Sequence, residues 1–248
     1  MGFNRLEDIK QASANHLLQF FLIASIVGRT DGRGHLTALD LFGFFQRDFK
    51  AEGDVVGDIV GADGLRFGMY TMPAVIEGRF SGIFPLDLIL KLKGIEKKEI
   101  TISIPMPISG LSIARINGEG IELIAGQYPN WRKLIPAEFT HKATFITKGL
   151  KVALEAVKVV AKESSGAVGL ETTEGNTLKI LAGSKDERII REIPAQVENP
   201  GKIAIHWRNL RDALKTGAST ISFNGLSDEC VLTGVVGLIE VIKPMYMD

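Results

Sequence analysis

Apolar and polar positions follow two different periods along the chain. Between 147 and 164, Leu150, Ala153, Leu154, Val157 and Val160 recur at helical spacing, which lays one apolar stripe along a helix, with Thr147 as the expected N-cap. After it, Ala167 to Thr172 and Thr177 to Leu181 read as strands around Glu174-Gly175-Asn176, a hairpin turn because glycine and asparagine accept the positive φ it needs. Lys202 to Ile205 reads as a strand, 207–216 as a short helix, and the end as strand-rich. In the first half, helices are expected over 5–16 and 85–93, the second opened by Pro85 at a favoured first-turn position. The most apolar run, Leu17 to Val27, offers about half of the roughly 20 residues a membrane span needs, and it reads as a buried strand.

The order of elements repeats. Ile89-Leu90-Lys91-Leu92-Lys93-Gly94 recurs as Asp212-Ala213-Leu214-Lys215-Thr216-Gly217, each followed by a β-rich run, Ile100 to Ile104 and Thr220 to Phe223. Each half closes on a similar strand, Gly120 to Ile124 and Gly237 to Ile242. A duplicated domain is the simplest reading. The segment between them contains Pro129 and Pro136, which limit it to extended or turn structure. The expected division is a domain over 1–127, a linker over 128–136 and a domain over 137–248. The expected fold is α+β, each domain placing two helices on antiparallel sheets.

Charge adds a constraint. Twenty-nine basic residues balance 29 acidic ones, so attraction to nucleic acid has to come from local placement. The 147–164 helix puts Lys148, Lys151, Lys158 and Lys162 on roughly one side, with Glu155 among them. Arg208, Arg211 and Lys215 repeat the arrangement on the second helix, and Lys91 and Lys93, with Lys97 and Lys98 beyond, give a looser version in the first domain. One such stripe alone is usually a solvated helix face; its recurrence in both halves favours phosphate binding. Cations on helices, without aromatic platforms or groove-reading Asn and Gln, suit sequence-neutral contact with duplex DNA.

Catalytic patterns are missing. His16, His35, His141 and His206 are scattered and read as structural or exposed, and no HExxH, GxSxG or phosphate-binding GxxxxGK[ST] occurs. Asp54, Asp58 and Asp63 lie in a glycine-rich stretch without calcium-loop spacing and are expected in turns. Cys230, the only cysteine, excludes a disulfide framework, suits a reducing compartment and is expected to be buried. No catalytic residue, metal or cofactor is expected. A start carrying two acids, unlike a signal peptide, leaves the cytoplasm as the expected location and no membrane as a partner.

Several motifs carry a family resemblance. Ile59 to Met69, IVGADGLRFGM, resembles the VATDGHRLA strand and turn of the middle domain of bacterial β sliding clamps, the β subunit of DNA polymerase III. Tyr128 to Pro136 looks like the family's YPDYRRVIP linker, Trp207 to Lys215 is similar to ARYLLDALK, and Val241 to Met245 looks like the terminal VVMPM. The resemblance implies two tandem DNA-clamp domains, middle and C-terminal, in a non-enzymatic processivity factor whose helices line a bore around duplex DNA. It implies a groove for peptides of DNA polymerase and clamp loader at Gly64, Arg66, Phe67, Pro129, Lys133, Leu134, Val241 and Met245. Apolar residues of that kind otherwise serve as core. Lys243 stands where the family usually has methionine, Leu65 replaces its histidine and Trp131 its second tyrosine, so the usual partner peptides are in question. The family's first domain has no counterpart here, so six domains would need three chains, and a head-to-tail homotrimer is expected. The alternative is a clamp-like adaptor or regulator that binds clamp partners without encircling DNA.

Overall fold

A computed structural model describes residues 41–47, 56–62, 65–73, 81–85, 102–103, 113–116, 119–125, 130–184 and 187–247. The chain divides into two compact units, Met1–Pro129 and Asn130–Asp248. The expected helix over 5–16, the apolar run 17–27, residues 86–93 with Lys91 and Lys93, and Asp54, Asp63, Gly64 and Pro129 lie outside the described residues.

In the first unit, β1 (Leu41–Arg47), β2 (Val56–Ala62), β3 (Arg66–Pro73) and β4 (Ser81–Pro85) form antiparallel neighbours in the order β3-β2-β1-β4. Val60, Phe67, Met69, Tyr70 and Ile83 are buried. A second sheet orders β5 (Ile102–Ser103), β6 (Ile113–Ile116) and β7 (Glu119–Glu122) as β5-β6-β7. Pro85 closes β4, opposite Leu41, a place that suits a residue without an N–H, and the rest of the expected helix over 85–93 lies outside the described residues. One expectation changes here. Asp58 lies within β2, paired with Thr71 and Phe45, and not in a turn.

The second unit carries β8 (His141–Phe145), α1 (Thr147–Glu163), β9 (Ala167–Thr173), β10 (Thr177–Gly183), β11 (Arg188–Glu198), β12 (Lys202–His206), α2 (Trp207–Lys215), β13 (Thr220–Phe223), β14 (Cys230–Thr233) and β15 (Leu238–Ile242). Its strands run antiparallel in the order β12-β9-β10-β11-β8-β13-β14-β15. Both helices bury their apolar stripes on this sheet: Leu150, Leu154 and Val157 of α1 and Leu210, Ala213 and Leu214 of α2 share one core with Leu170, Leu178, Ile180, Ile203, Ile205 and Phe223.

Local chemistry explains the ends of these elements. Asn176 takes φ 53° in the β9–β10 turn, and its backbone and side-chain oxygens accept from Ala195 N and Val197 N of β11 at 2.9 and 3.2 Å. One turn residue thus fixes three strands. Thr147 is not the cap of α1. Ile146 holds that position, where its aliphatic side chain can make no capping bond, and the Thr147 hydroxyl is engaged elsewhere, donating to Ala218 O at 2.9 Å. The start of α2 is capped by His206, whose Nδ1 accepts from Arg208 N at 3.1 Å.

Among the described residues β11 is the longest strand, and it changes partner along its length. Arg188 to Pro194 pair with β10, whereas Ala195 to Glu198 pair with β8 on the opposite side. Among the described residues, no strand pairs the outer side of Arg188 to Ile193.

Candidate nucleic-acid interface

The cations follow from the way each helix splits its surface. Leu150, Ala153, Leu154, Val157 and Ala161 of α1 are buried, which turns Lys148, Lys151 and Lys162 outward into solvent. Lys158 is half-buried and its ammonium pairs with Glu155 one turn back. On α2, Trp207, Leu210, Asp212, Ala213 and Leu214 are buried, leaving Arg208 and Lys215 exposed and Arg211 half-buried.

The two helices pack side by side, and the buried Trp207 gathers their cations. Lys162 Nζ lies 5.1 Å from its ring centroid, Arg211 Cζ 5.1 Å and Arg208 Cζ 5.4 Å. A cation over an indole face gains about 0.5–1 kcal/mol at an exposed site, and here one ring orients three charges from two helices. Lys148 and Lys151 lie further along α1, at about 1.5 Å per residue roughly 16–21 Å from Lys162. The family-style stripe is therefore one cluster of three at Trp207 with outlying lysines.

Sequence reasoning missed an acid within this face. Asp212 is 2% exposed, and its Oδ1 accepts from Arg211 Nε (3.2 Å), Arg211 Nη2 (3.0 Å) and Lys215 Nζ (3.1 Å). Burial alone would raise the carboxyl's pKa, but the hydrogen bonds from Lys215 and Arg211 outweigh it and hold it below the ordinary 3.8. Arg211 and Lys215 thus share one countercharge, and Arg208 is the α2 cation with no ion pair to it. The available signal was an acid on the apolar stripe of α2, one residue after an arginine and three before a lysine.

The residues assigned to a partner groove separate by burial. In the first unit Arg66 and Phe67 are buried, at 8% and 3% exposure. In the second, Leu134 is 43% exposed on a 3-10 turn, Trp131–Leu134, with Lys133 exposed beside it. Val241 is buried in β15 opposite Val231, and Met245 is half-buried with its N–H donating to Ala204 O at 2.7 Å. Lys243 is exposed. Met245 also lines a cavity of about 230 Å³ with Leu181, Ala204, Leu226 and Met247, which the sequence did not suggest.

Cys230 is fully buried, and desolvation pushes its thiol up to about 12, so it stays protonated at neutral pH and offers no nucleophile. Among the described residues no helix is long and apolar enough to cross a membrane.

Against this geometry, comparison with known proteins gives a consistent picture. No protein-family model matches the chain. It is 32% identical over 130 residues to the beta sliding clamp of Synechococcus elongatus, covering 49% of this chain and 35% of that one. Solved structures of DNA polymerase III β subunits share its fold: that from Thermotoga maritima at TM-score 0.78 and 17% identity, over 95% of this chain and 65% of that one. That from Borrelia burgdorferi, in complex with a natural product, matches at 0.77 and 18%, over 96% and 63%. The chain spans slightly less than two thirds of the length of these structures. It has the α+β fold of sliding clamps.

Proposed function

We propose that this chain is a subunit of a sliding clamp, a non-enzymatic ring that encircles duplex DNA and tethers a polymerase to it. The fold likeness over 95% of the chain supports this reading, joined to the Trp207-centred cations that a phosphate backbone would meet. The mechanism makes or breaks no bond. A closed ring cannot leave the duplex sideways, while screened contacts from Lys148, Lys151, Lys158, Lys162, Arg208, Arg211 and Lys215, with Lys91 and Lys93 from the first unit, hold it without fixing a register. Three copies of two clamp units supply six domains in a closed head-to-tail ring.

Peptides of polymerase and clamp loader dock by apolar anchoring. Leu134 is the exposed apolar side chain of the proposed groove, and Lys133 beside it and Lys243 near the chain end favour peptides that bring acidic residues to the anchor.

Neutralising Lys151, Lys162 and Arg208 to alanine tests the DNA-facing assignment. Each lost phosphate contact removes about 0.9 from the slope of log affinity against log salt, so the triple variant should flatten it by roughly two to three. An unchanged slope contradicts the assignment. A wild-type protein that binds partner peptides yet shows no salt-dependent DNA binding would be an adaptor, not a ring.

A further inference from the structure

The segment that leads from the Trp131–Leu134 turn into β8 is fastened by two asparagines. Asn224, just after β13, uses both ends of its side-chain amide. Its Oδ1 accepts from Thr140 N at 2.7 Å and from Thr140 Oγ1 at 3.2 Å, and its Nδ2 donates to Glu138 O at 3.0 Å. Asn199, in the turn between β11 and β12, donates from Nδ2 to Thr140 O at 3.0 Å. Glu138 and Thr140 are exposed, so at both residues hydrogen bonding rather than burial fixes the backbone.

The two fasteners differ in chemical lifetime. An asparagine side chain is lost when the backbone nitrogen of the next residue attacks its Cγ. Asn199 is followed by Pro200, which has no N–H to give up and does not react this way. Asn224 is followed by Gly225, the least hindered nucleophile a main chain offers. The surroundings favour attack. Thr140 N–H and Oγ1–H both donate to Oδ1, where negative charge develops as Cγ becomes tetrahedral, the placement that stabilises an oxyanion. Asp228 Oδ2 lies 3.0 Å from where a Cβ on Gly225 would stand, so a carboxylate beside the attacking residue can take its proton. Asn224 is half-buried and Asp228 exposed, which lets water reach the ring that forms.

We propose that Asn224–Gly225 is a self-modifying site that needs water alone as co-reactant. The Gly225 nitrogen bonds to Asn224 Cγ, its proton passes by way of Asp228 to the departing nitrogen, and the Cγ–Nδ2 bond breaks to release ammonia. Water then opens the cyclic imide. Opening at Cγ leaves aspartate; opening at the Asn224 main-chain carbonyl leaves isoaspartate, whose backbone is lengthened by a methylene carbon. Nothing is oxidised or reduced, and either product carries a new negative charge. Both lose the Nδ2 donor, so Glu138 O faces an oxygen in place of an N–H. The isoaspartyl product also carries its carboxylate away from Thr140. The segment behind Leu134 is thus tied down by one durable fastener and one that ages.

The full chain is aged at pH 8, folded and in parallel unfolded in urea. Conversion at each asparagine is followed by peptide mapping, which separates Asn224 from the second Asn-Gly pair, Asn117–Gly118. Asn224 should convert at least as fast in the folded protein as in the unfolded chain, and Asn199 should not convert. Gly225→Ala should largely abolish conversion and still fold, since the added Cβ meets only the exposed Asp228 carboxylate. In the isoaspartyl form, hydrogen exchange at the Thr140 amide should rise about tenfold, as expected for the loss of one hydrogen bond of ordinary strength; aged G225A should show no such rise. Slower conversion in the folded protein would mean that the bonds to Asn224 shield it, and the site is then wrong. Undiminished conversion in G225A overturns the route, and an isoaspartyl form with unchanged Thr140 exchange overturns the unfastening. None of these results bears on the ring reading.

Discussion

Replacing Asp212 with asparagine separates what stabilises the helical face from what binds DNA. The carboxylate accepts three hydrogen bonds from Arg211 and Lys215. Losing charge-assisted bonds to a buried group costs about 1.5–3 kcal/mol. The partner side chains are 26% and 43% exposed, so solvent screening brings the expected loss to about 1–2 kcal/mol, a fall of roughly 5 °C or more in Tm for a unit of this size. Because the folded carboxyl titrates below its ordinary 3.8, its contribution is complete above that value and disappears as pH falls through the folded pKa. Denaturant titrations of wild type and D212N should therefore differ at pH 7 and draw together only as pH falls below 3.8, through the folded pKa. DNA binding should move the other way. Relieving Arg211 and Lys215 of their shared countercharge strengthens the positive face, so the variant should hold DNA more tightly and steepen the salt slope by up to about 0.9. Equal stability at pH 7, a gap that fails to narrow as pH falls below 3.8, or weaker DNA binding would refute this picture of the face.

Leu134→Asp should abolish binding of polymerase-derived peptides in a fluorescence anisotropy assay while leaving sedimentation unchanged, since the side chain is 43% exposed and contributes little to the core. Gly183→Ala should destabilise by at least about 2 kcal/mol in denaturant, because Gly183 has φ 108° and a Cβ there would collide with the Glu187 carbonyl oxygen. Cys230 should resist Ellman's reagent at pH 8 until the protein unfolds, given a buried thiol pushed to about 12; rapid native labelling would contradict its placement.

Legibility in the sequence followed the range of the interactions involved. The helix Thr147–Glu163 and the hairpin around Asn176 were readable because period and turn chemistry are local. Pro85 is ambiguous in the sequence because a proline suits both the first turn of a helix and the end of a strand, and its pairing with Leu41 is what places it at the end of β4. The Trp207 cluster draws Lys162 from a helix more than 40 positions away, so no spacing rule could announce it. Asp212 had a local signal, but an acid on an apolar stripe reads as an exception until its two donors are seen. The open edge of β11 depends on where β8 stops pairing with it, a long-range fact that sequence alone does not supply.

Topological retention is the sharpest test of the ring. Linear duplex biotinylated at both ends is mixed with the protein so that rings can thread over the free ends. Streptavidin is then added, and retention is measured in 0.5 M salt, where simple phosphate contacts are largely screened, on the order of a few ångströms' reach. Protein that stays on the blocked duplex and escapes once a restriction cut opens an end is the expected result. Equal loss from blocked and open DNA would contradict encirclement.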